Sequence, residues 1–234
     1  MSQYPNVNEG KSSGGKVLGG CGIGCLVILL VAVGIVVGGY FFLKGKAVEF
    51  VDSHLGDQPV EIVQAEADPQ AVEEALTRFD SFRASMVAGE NPGPLILSDN
   101  DLNAILNNHS DFEMLAGKAV AKIEDDQLSA QVSIPFDDLG VEVPFIGEAL
   151  KGKYINGQAA FSLELENGRP SLFIEGLEVN GATLPLEVIQ ELKKENLLKD
   201  AQTNPKIMKA FEMLEEIKIE NNQLRIVPKA AKAN

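Results

Sequence analysis

The chain has 234 residues, a formal net charge of −14, two cysteines, two histidines and no tryptophan, which allows one core of roughly 100–200 residues plus an appendage. Charge is uneven: residues 1–46 carry +3, from Lys11, Lys16, Lys44 and Lys46 against Glu9, leaving −17 on residues 47–234. So acidic a surface repels nucleic-acid phosphates and anionic lipid headgroups, so no nucleic-acid partner is expected, and with Cys21 and Cys25 both near the N-terminus the acidic part has neither disulfide nor thiol nucleophile.

Residues 1–16, rich in Ser, Gly, Asn and Lys, are too polar to bury anything and are expected to form a disordered tail. Residues 17–43 (VLGGCGIGCLVILLVAVGIVVGGYFFL) contain no charge over 27 positions, about 40 Å of helix at about 1.5 Å per residue, which is enough to cross a bilayer once. A cleavable signal peptide is the competing reading, but its apolar region is about 7–15 residues long. An uncleaved signal anchor is therefore favoured. Leu18-Gly19-Gly20-Cys21 has the form of a lipoprotein signal, yet its hydrophobic stretch follows the cysteine instead of preceding it.

Lysines flank the anchor almost evenly, so the positive-inside rule gives little direction. The short N-terminal tail is placed in the cytoplasm and the long C-terminal part outside, in the cell membrane as a single-pass protein. Gly20 and Gly24, and again Gly34 and Gly38, have the spacing that lets membrane helices approach closely, so a homodimer through the anchor is an open expectation.

Residues 44–67, with short apolar pieces broken by Gly56 and Pro59, are expected to be a stalk. Asp68-Pro69 then provides an N-cap and a first-turn proline. Val72, Leu76, Phe79, Phe82 and Met86 recur on one helical face until Gly89 and Asn91-Pro92-Gly93-Pro94 stop the helix. The next stretch, Leu95 to Leu106 (LILSDNDLNAIL), carries two aspartates and two asparagines in an apolar rhythm. Ser98 and Asp101 fit a capping box with Asp in place of Glu. A calcium loop beginning at Asp99 would need Gly at its sixth position and Glu at its twelfth, where Ala104 and Ser110 stand. Asp99 and Asp101, two residues apart on a helix, do not converge as an acid–base pair.

From Gly117 the apolar period falls to two. Ala119, Ala121 and Ile123, a turn at Asp125-Asp126, then Leu128, Ala130, Val132 and Ile134 make one hairpin. Val141–Ile146, with Pro144 inside, is at best an edge piece or loop. Tyr154 to Glu166, a turn at Asn167-Gly168, then Leu172, Ile174, Leu177 and Val179 make a second hairpin. Helices follow from Leu184 and from Asn204-Pro205, and a third hairpin joins Ile217 and Ile219 to Leu224 and Ile226 through Asn221-Asn222. The expected fold is α+β over residues 68–228, with a short tail at 229–234. Helices would cover one face of a single curved antiparallel sheet of at least five strands.

No catalytic, metal or cofactor set is assembled by these residues. His54 falls in the stalk, and His109 is expected at a helix end, interacting with the terminal carbonyls. Acid pairs at Asp125-Asp126 and Asp137-Asp138 sit at hairpin turns, where short acids satisfy backbone groups. Asn108-His109-Ser110 matches a glycosylation sequon, which matters only on a eukaryotic secretory route. The chain is accordingly expected not to be an enzyme and to need no cofactor.

The segment Leu97-Ser98-Asp99-Asn100-Asp101-Leu102-Asn103-Ala104-Ile105-Leu106 resembles the Leu-Ser-acidic, Leu-Asn, Leu helix near the start of tubular lipid-binding (TULIP-like) domains of anchored bacterial envelope proteins. The later order of hairpins, a Gly-x-x-Leu-Pro helix entry at Gly181 to Pro185 and a closing hairpin is similar to them as well. The resemblance covers roughly residues 69–228 and implies a lipid-binding groove without catalysis. It assigns no ligand-contacting residue. Two expectations follow: an open apolar groove between helix 69–88 and the sheet, holding an acyl lipid or other apolar ligand, or a solid core in a scaffolding domain that binds another envelope protein.

Overall fold

A computed structural model of the chain describes residues 55–64, 67–139, 150–184, 186–199, 201–203 and 205–230. The expected polar tail and membrane helix, the first part of the expected stalk, and Val141–Ile146 lie outside these residues. Among the described residues no helix is long and apolar enough to cross a membrane.

The domain is α+β with two antiparallel sheets. Helix α1 (Pro69–Ala88) is capped as the sequence predicts: the Asp68 carboxylate accepts from the Gln70 N–H, and Gly89 ends the helix at φ 77°. Only Ala75 and Phe79 of α1 are buried, with Leu76, Phe82 and Met86 packed half-covered on the core. Strand β1 (Leu95–Leu97) leads into helix α2 (Asp99–Asn108), whose Leu102, Ala104, Ile105 and Leu106 are all buried. A 3-10 turn, Ser110–Leu115, adds Phe112 and Leu115 to the same core.

The larger sheet has the order β2-β3-β4-β5-β6, formed by Ala119–Glu124, Gln127–Pro135, Tyr154–Glu166, Arg169–Val179 and Ala182–Thr183. Its registered rows Ile123, Leu128, Phe161, Ile174 and Ala121, Ala130, Ala159, Leu177 all face the core. The inward set of β5 shifts from Leu172 and Ile174 to Leu177 and Val179. A change from even to odd numbering requires one extra residue, and the register does shift opposite Ala160/Phe161. Helices α3 (Leu186–Leu192) and α4 (Pro205–Glu212) pack on β5, and α4 also meets the strand that follows it, Leu214–Glu220.

The expected single sheet is two. Strand β7 (Leu214–Glu220) and strand β8 (Gln223–Pro228) do not extend the larger sheet but form a second one, ordered β1-β8-β7. Leu95 pairs with Ile226 and Leu97 with Leu224, so the second sheet takes its third strand from a segment more than a hundred residues away. Three residues are too few to show a period of two, which is why β1 cannot be told from a loop in the sequence.

The second sheet sits at the hairpin-turn end of the first. Asp126 N–H donates to Asn222 Oδ1 (3.1 Å) and Asn222 N–H donates to Asp126 Oδ1 (2.8 Å). At the other hairpin turn, a Cβ on Gly168 would lie 3.3 Å from the Glu212 Cα. Strand β7 therefore runs from one turn of the larger sheet to the other. A single hydrophobic cluster takes in both sheets, α1, α2 and the C-terminal helices, with Leu97, Ile105, Phe112, Leu128 and Ile174 among its most deeply buried members. Each such side chain contributes roughly 1.5–3 kcal/mol.

Residues 55–64, expected within the stalk, lie on the domain. Gly56 and Tyr154 exchange both backbone hydrogen bonds (2.9 and 2.8 Å), and Leu55 is buried with Leu150 against Phe136 and Ile155.

Candidate functional site

Ser98, Asp101 and Asn103 of the stretch Leu95–Leu106 are engaged in holding the fold. Ser98 Oγ accepts from the Asp101 N–H (3.2 Å) while the Asp101 carboxylate accepts from the Ser98 N–H (2.8 Å), completing the capping box. Arg78 of α1 forms an ion pair with the same carboxylate. Asn103 stands opposite the open edge of β2: its Oδ1 accepts from the Ala121 N–H (2.7 Å) and its Nδ2 donates to the Ala121 carbonyl (2.8 Å). Asn107, four residues on and so on the same helical face, accepts from the Gly117 N–H (2.8 Å) and from Gln64 Nε2 (3.0 Å). The Asn103 carboxamide thus takes the place of a neighbouring strand at Ala121, and Asn107 holds the chain just before β2, at an edge that would otherwise be open to pair with another chain. Asparagines at i and i+4 on the buried side of a helix were the available signal.

His109 stands beside two acids, the arrangement that acid–base chemistry would need. Its backbone N–H closes α2 on the Ile105 carbonyl, but its ring does not make the contact with the terminal carbonyls that the sequence predicts. Nδ1 accepts from the Asp111 N–H (3.1 Å) and so caps the following 3-10 turn. That contact puts the proton on Nε2, which lies 3.1 Å from Asp80 Oδ1 and 3.2 Å from Arg83. The ring is 11% exposed and packs edge-on to Phe79 (5.3 Å) and beside Phe112 (5.9 Å). With both nitrogens in contact with polar neighbours and the ring packed against two phenylalanines, it joins α1 to the end of α2. Among the described residues no group of three or more His, Cys, Asp or Glu side chains could hold a metal ion.

Asp125 and Asp126 (φ 52° and 59°) and Asn221 and Asn222 (φ 53° and 56°) occupy left-handed turn positions. Short polar side chains tolerate that conformation best after glycine. Charge on the strands is paired along one face: hydrogen bonding and attraction to Glu124 raise the Lys122 ammonium pKa, and Glu220 does the same to Lys218. In return Lys218 holds the Glu220 carboxyl below its ordinary value.

A surface cleft opens between the C-terminal end of α1 and the β7–β8 end of the second sheet. It has a volume of about 160 Å³ and is lined by Met86, Gly89, Asn91, Met213, Pro228 and Lys229, among others. Its backbone is tied by Asn91 Nδ2 donating to the Lys229 carbonyl (3.1 Å) and the Lys229 N–H donating to the Met213 carbonyl (2.8 Å). Val87, next to it in α1, is 89% exposed. Pockets that enclose a small organic ligand run to about 300–1,000 Å³. This cleft admits one side chain of a partner more readily than an acyl chain. Sequence reasoning missed it because Met86 and Met213 meet only through the second sheet.

No protein-family model matches the chain, and no curated protein or solved structure is significantly similar to it.

Proposed function

We propose that this chain is a non-catalytic domain, tethered outside the cytoplasm by a single membrane helix, which binds another envelope protein through its surface. The observation that carries the reading is the continuous core: residues that would line a tube interdigitate from both sheets and α2 in one cluster. Phe79, the central apolar residue of α1, is buried in that cluster, where an open groove would have left it accessible. The exposed Val87 and the adjoining methionine-lined cleft supply an apolar contact of the size a partner side chain needs.

The test is native mass spectrometry of the acidic domain purified from cells without detergent, followed by solvent extraction and addition of a fluorescent fatty acid. An empty domain that takes up no fatty acid is the expected result. An acyl-chain mass at near-stoichiometric occupancy would overturn the reading.

That outcome would establish the second reading, an apolar-ligand binder of the TULIP-like kind. Two observations favour it: the order of helices, hairpins and closing hairpin agrees with the resemblance, and the cleft does lie between helix 69–88 and a sheet.

A further inference from the structure

The segment that follows the anchor is docked across one end of the larger sheet. After the Gly56–Tyr154 pair, the Val60 N–H donates to Ser133 Oγ (3.1 Å) and Asn156 Oδ1 (3.2 Å). Asn156 Nδ2 returns a bond to the Gln58 carbonyl (3.0 Å), and Gln64 Nε2 reaches Asn107 and the Ala119 carbonyl. Ser133 and Asn156 are the two buried polar side chains among the described residues. Both point away from the main core and are covered by this strap. A Cβ on Gly56 would lie 2.4 Å from Asn156 Nδ2, so any other residue there must push aside the carboxamide that holds the strap.

All of these contacts lie where β2 begins, β3 ends and β4 begins, because Pro135 pairs with Tyr154 and Ala119 with Val132. The turns at Asp125-Asp126 and Asn167-Gly168, with the second sheet attached to them, are at the opposite end. Only residues 44–54 separate the last apolar residue of the anchor, Leu43, from Leu55. That is twelve steps from Leu43 to Leu55, roughly 40–43 Å when fully extended at about 3.3–3.6 Å per residue. Strand β4 alone has 13 residues, twelve steps or about 40 Å at about 3.3 Å each. Bringing the turn end down to the bilayer while the strap is docked would therefore take a tether fully extended back along the whole sheet, whereas a random-coil chain of twelve steps averages only about 17–21 Å end to end, which favours the strap end as the one held near the bilayer.

From this we infer that the domain stands over a lipid surface on its strap end, with Leu55, Phe136, Lys151 and Lys153 nearest the bilayer among the described residues and the second sheet and its cleft held about one strand length, roughly 40 Å, farther out. The inference rests on the tethered reading above.

The chain has no tryptophan, so a single one reports position without background. Lys151→Trp at the strap end and Gln127→Trp at the turn end both replace exposed residues. Each full-length variant is reconstituted into phosphatidylcholine vesicles carrying a dansyl-headgroup lipid, and energy transfer from tryptophan to dansyl is read. Transfer several-fold stronger from position 151 than from 127 is expected. Adding Gly56→Val to each variant, which unseats the strap, narrows the difference. Equal transfer from the two positions, stronger transfer from 127, or a difference that Gly56→Val leaves untouched would overturn the inference. Flotation separates the two failures: a chain that does not float with the vesicles sinks the tether itself, whereas a chain that floats with equal transfer sinks only the orientation.

Discussion

Replacing Asn103 by Leu keeps the size of the side chain but leaves the Ala121 N–H and carbonyl without partners at a covered sheet edge. Each buried backbone group so stranded costs about 1–3 kcal/mol, and the expected loss is about 2–4 kcal/mol in the unfolding free energy of the domain, read from denaturant midpoints. Asn108→Leu is the control: its carboxamide bonds only the Ala104 carbonyl inside its own helix, so the change should stay within about 0.5 kcal/mol. Charge at this scale has a sign that can be worked out. Glu220 titrates below its ordinary value when folded, so its contribution is present above the unfolded carboxylate pKa and disappears as pH falls through the folded one. Lys218 titrates above its ordinary value; its contribution is present below the unfolded lysine pKa and disappears as pH rises through the folded one. Carbon-detected NMR should show the Glu220 midpoint moving back up in Lys218→Met, and an unmoved midpoint would remove the pairing as its cause. The sequence marks these residues only in part. Ser98 and Asp101 declare a capping box by spacing, but nothing local tells that Asn103 faces a strand edge eighteen residues away.

Elements differ in how far their causes lie along the chain. Helix α1 and the three hairpins were legible because their signals are local: Asp68-Pro69 and Gly89 for the helix, period-two alternation and short polar turn residues for the hairpins. The strap was not, because Val60 finds its partners 73 and 96 residues on, and neither Ser133 nor Asn156 looks unusual in a strand. The division into two sheets was hidden for the same reason, since it depends on three residues pairing with the far end of the chain. Two predictions belong here. Ser98→Ala removes an N-cap hydrogen bond and should lower stability by about 1 kcal/mol. A domain beginning at Asp68 instead of Leu55 loses one buried leucine and the strap's hydrogen bonds, and should be about 2–4 kcal/mol less stable. Equal thermal midpoints for the two lengths would show that the strap rests on the sheet without stabilising it.

At the scale of the whole molecule, what is exposed matters more than what is enclosed. The outward face of the larger sheet carries Lys122, Ser129, Gln131, Gln158, Ser162 and Glu164, a wetted and largely hydrophilic surface. Exposed apolar side chains at the other sheet are Val87 on α1, which adjoins the methionine-lined cleft, and Ile96 on β1. Val60 and Val63 are exposed on the strap as well, but a partner that seats an apolar side chain in a recess has its footing at the cleft beside Val87. Placing a photo-crosslinking amino acid at position 87 of the full chain in its own membrane should give one discrete adduct, and the same residue at position 131 should give none. Met213→Glu, which puts a charge into the cleft without touching position 87, should abolish the adduct while leaving the thermal midpoint of the domain nearly unchanged, because Met213 is only partly buried. An adduct from position 131 and none from 87 would move the interface to the outer face of the larger sheet. Diffuse labelling from both, insensitive to Met213→Glu, would mean that neither surface is an interface and would return weight to the apolar-ligand reading.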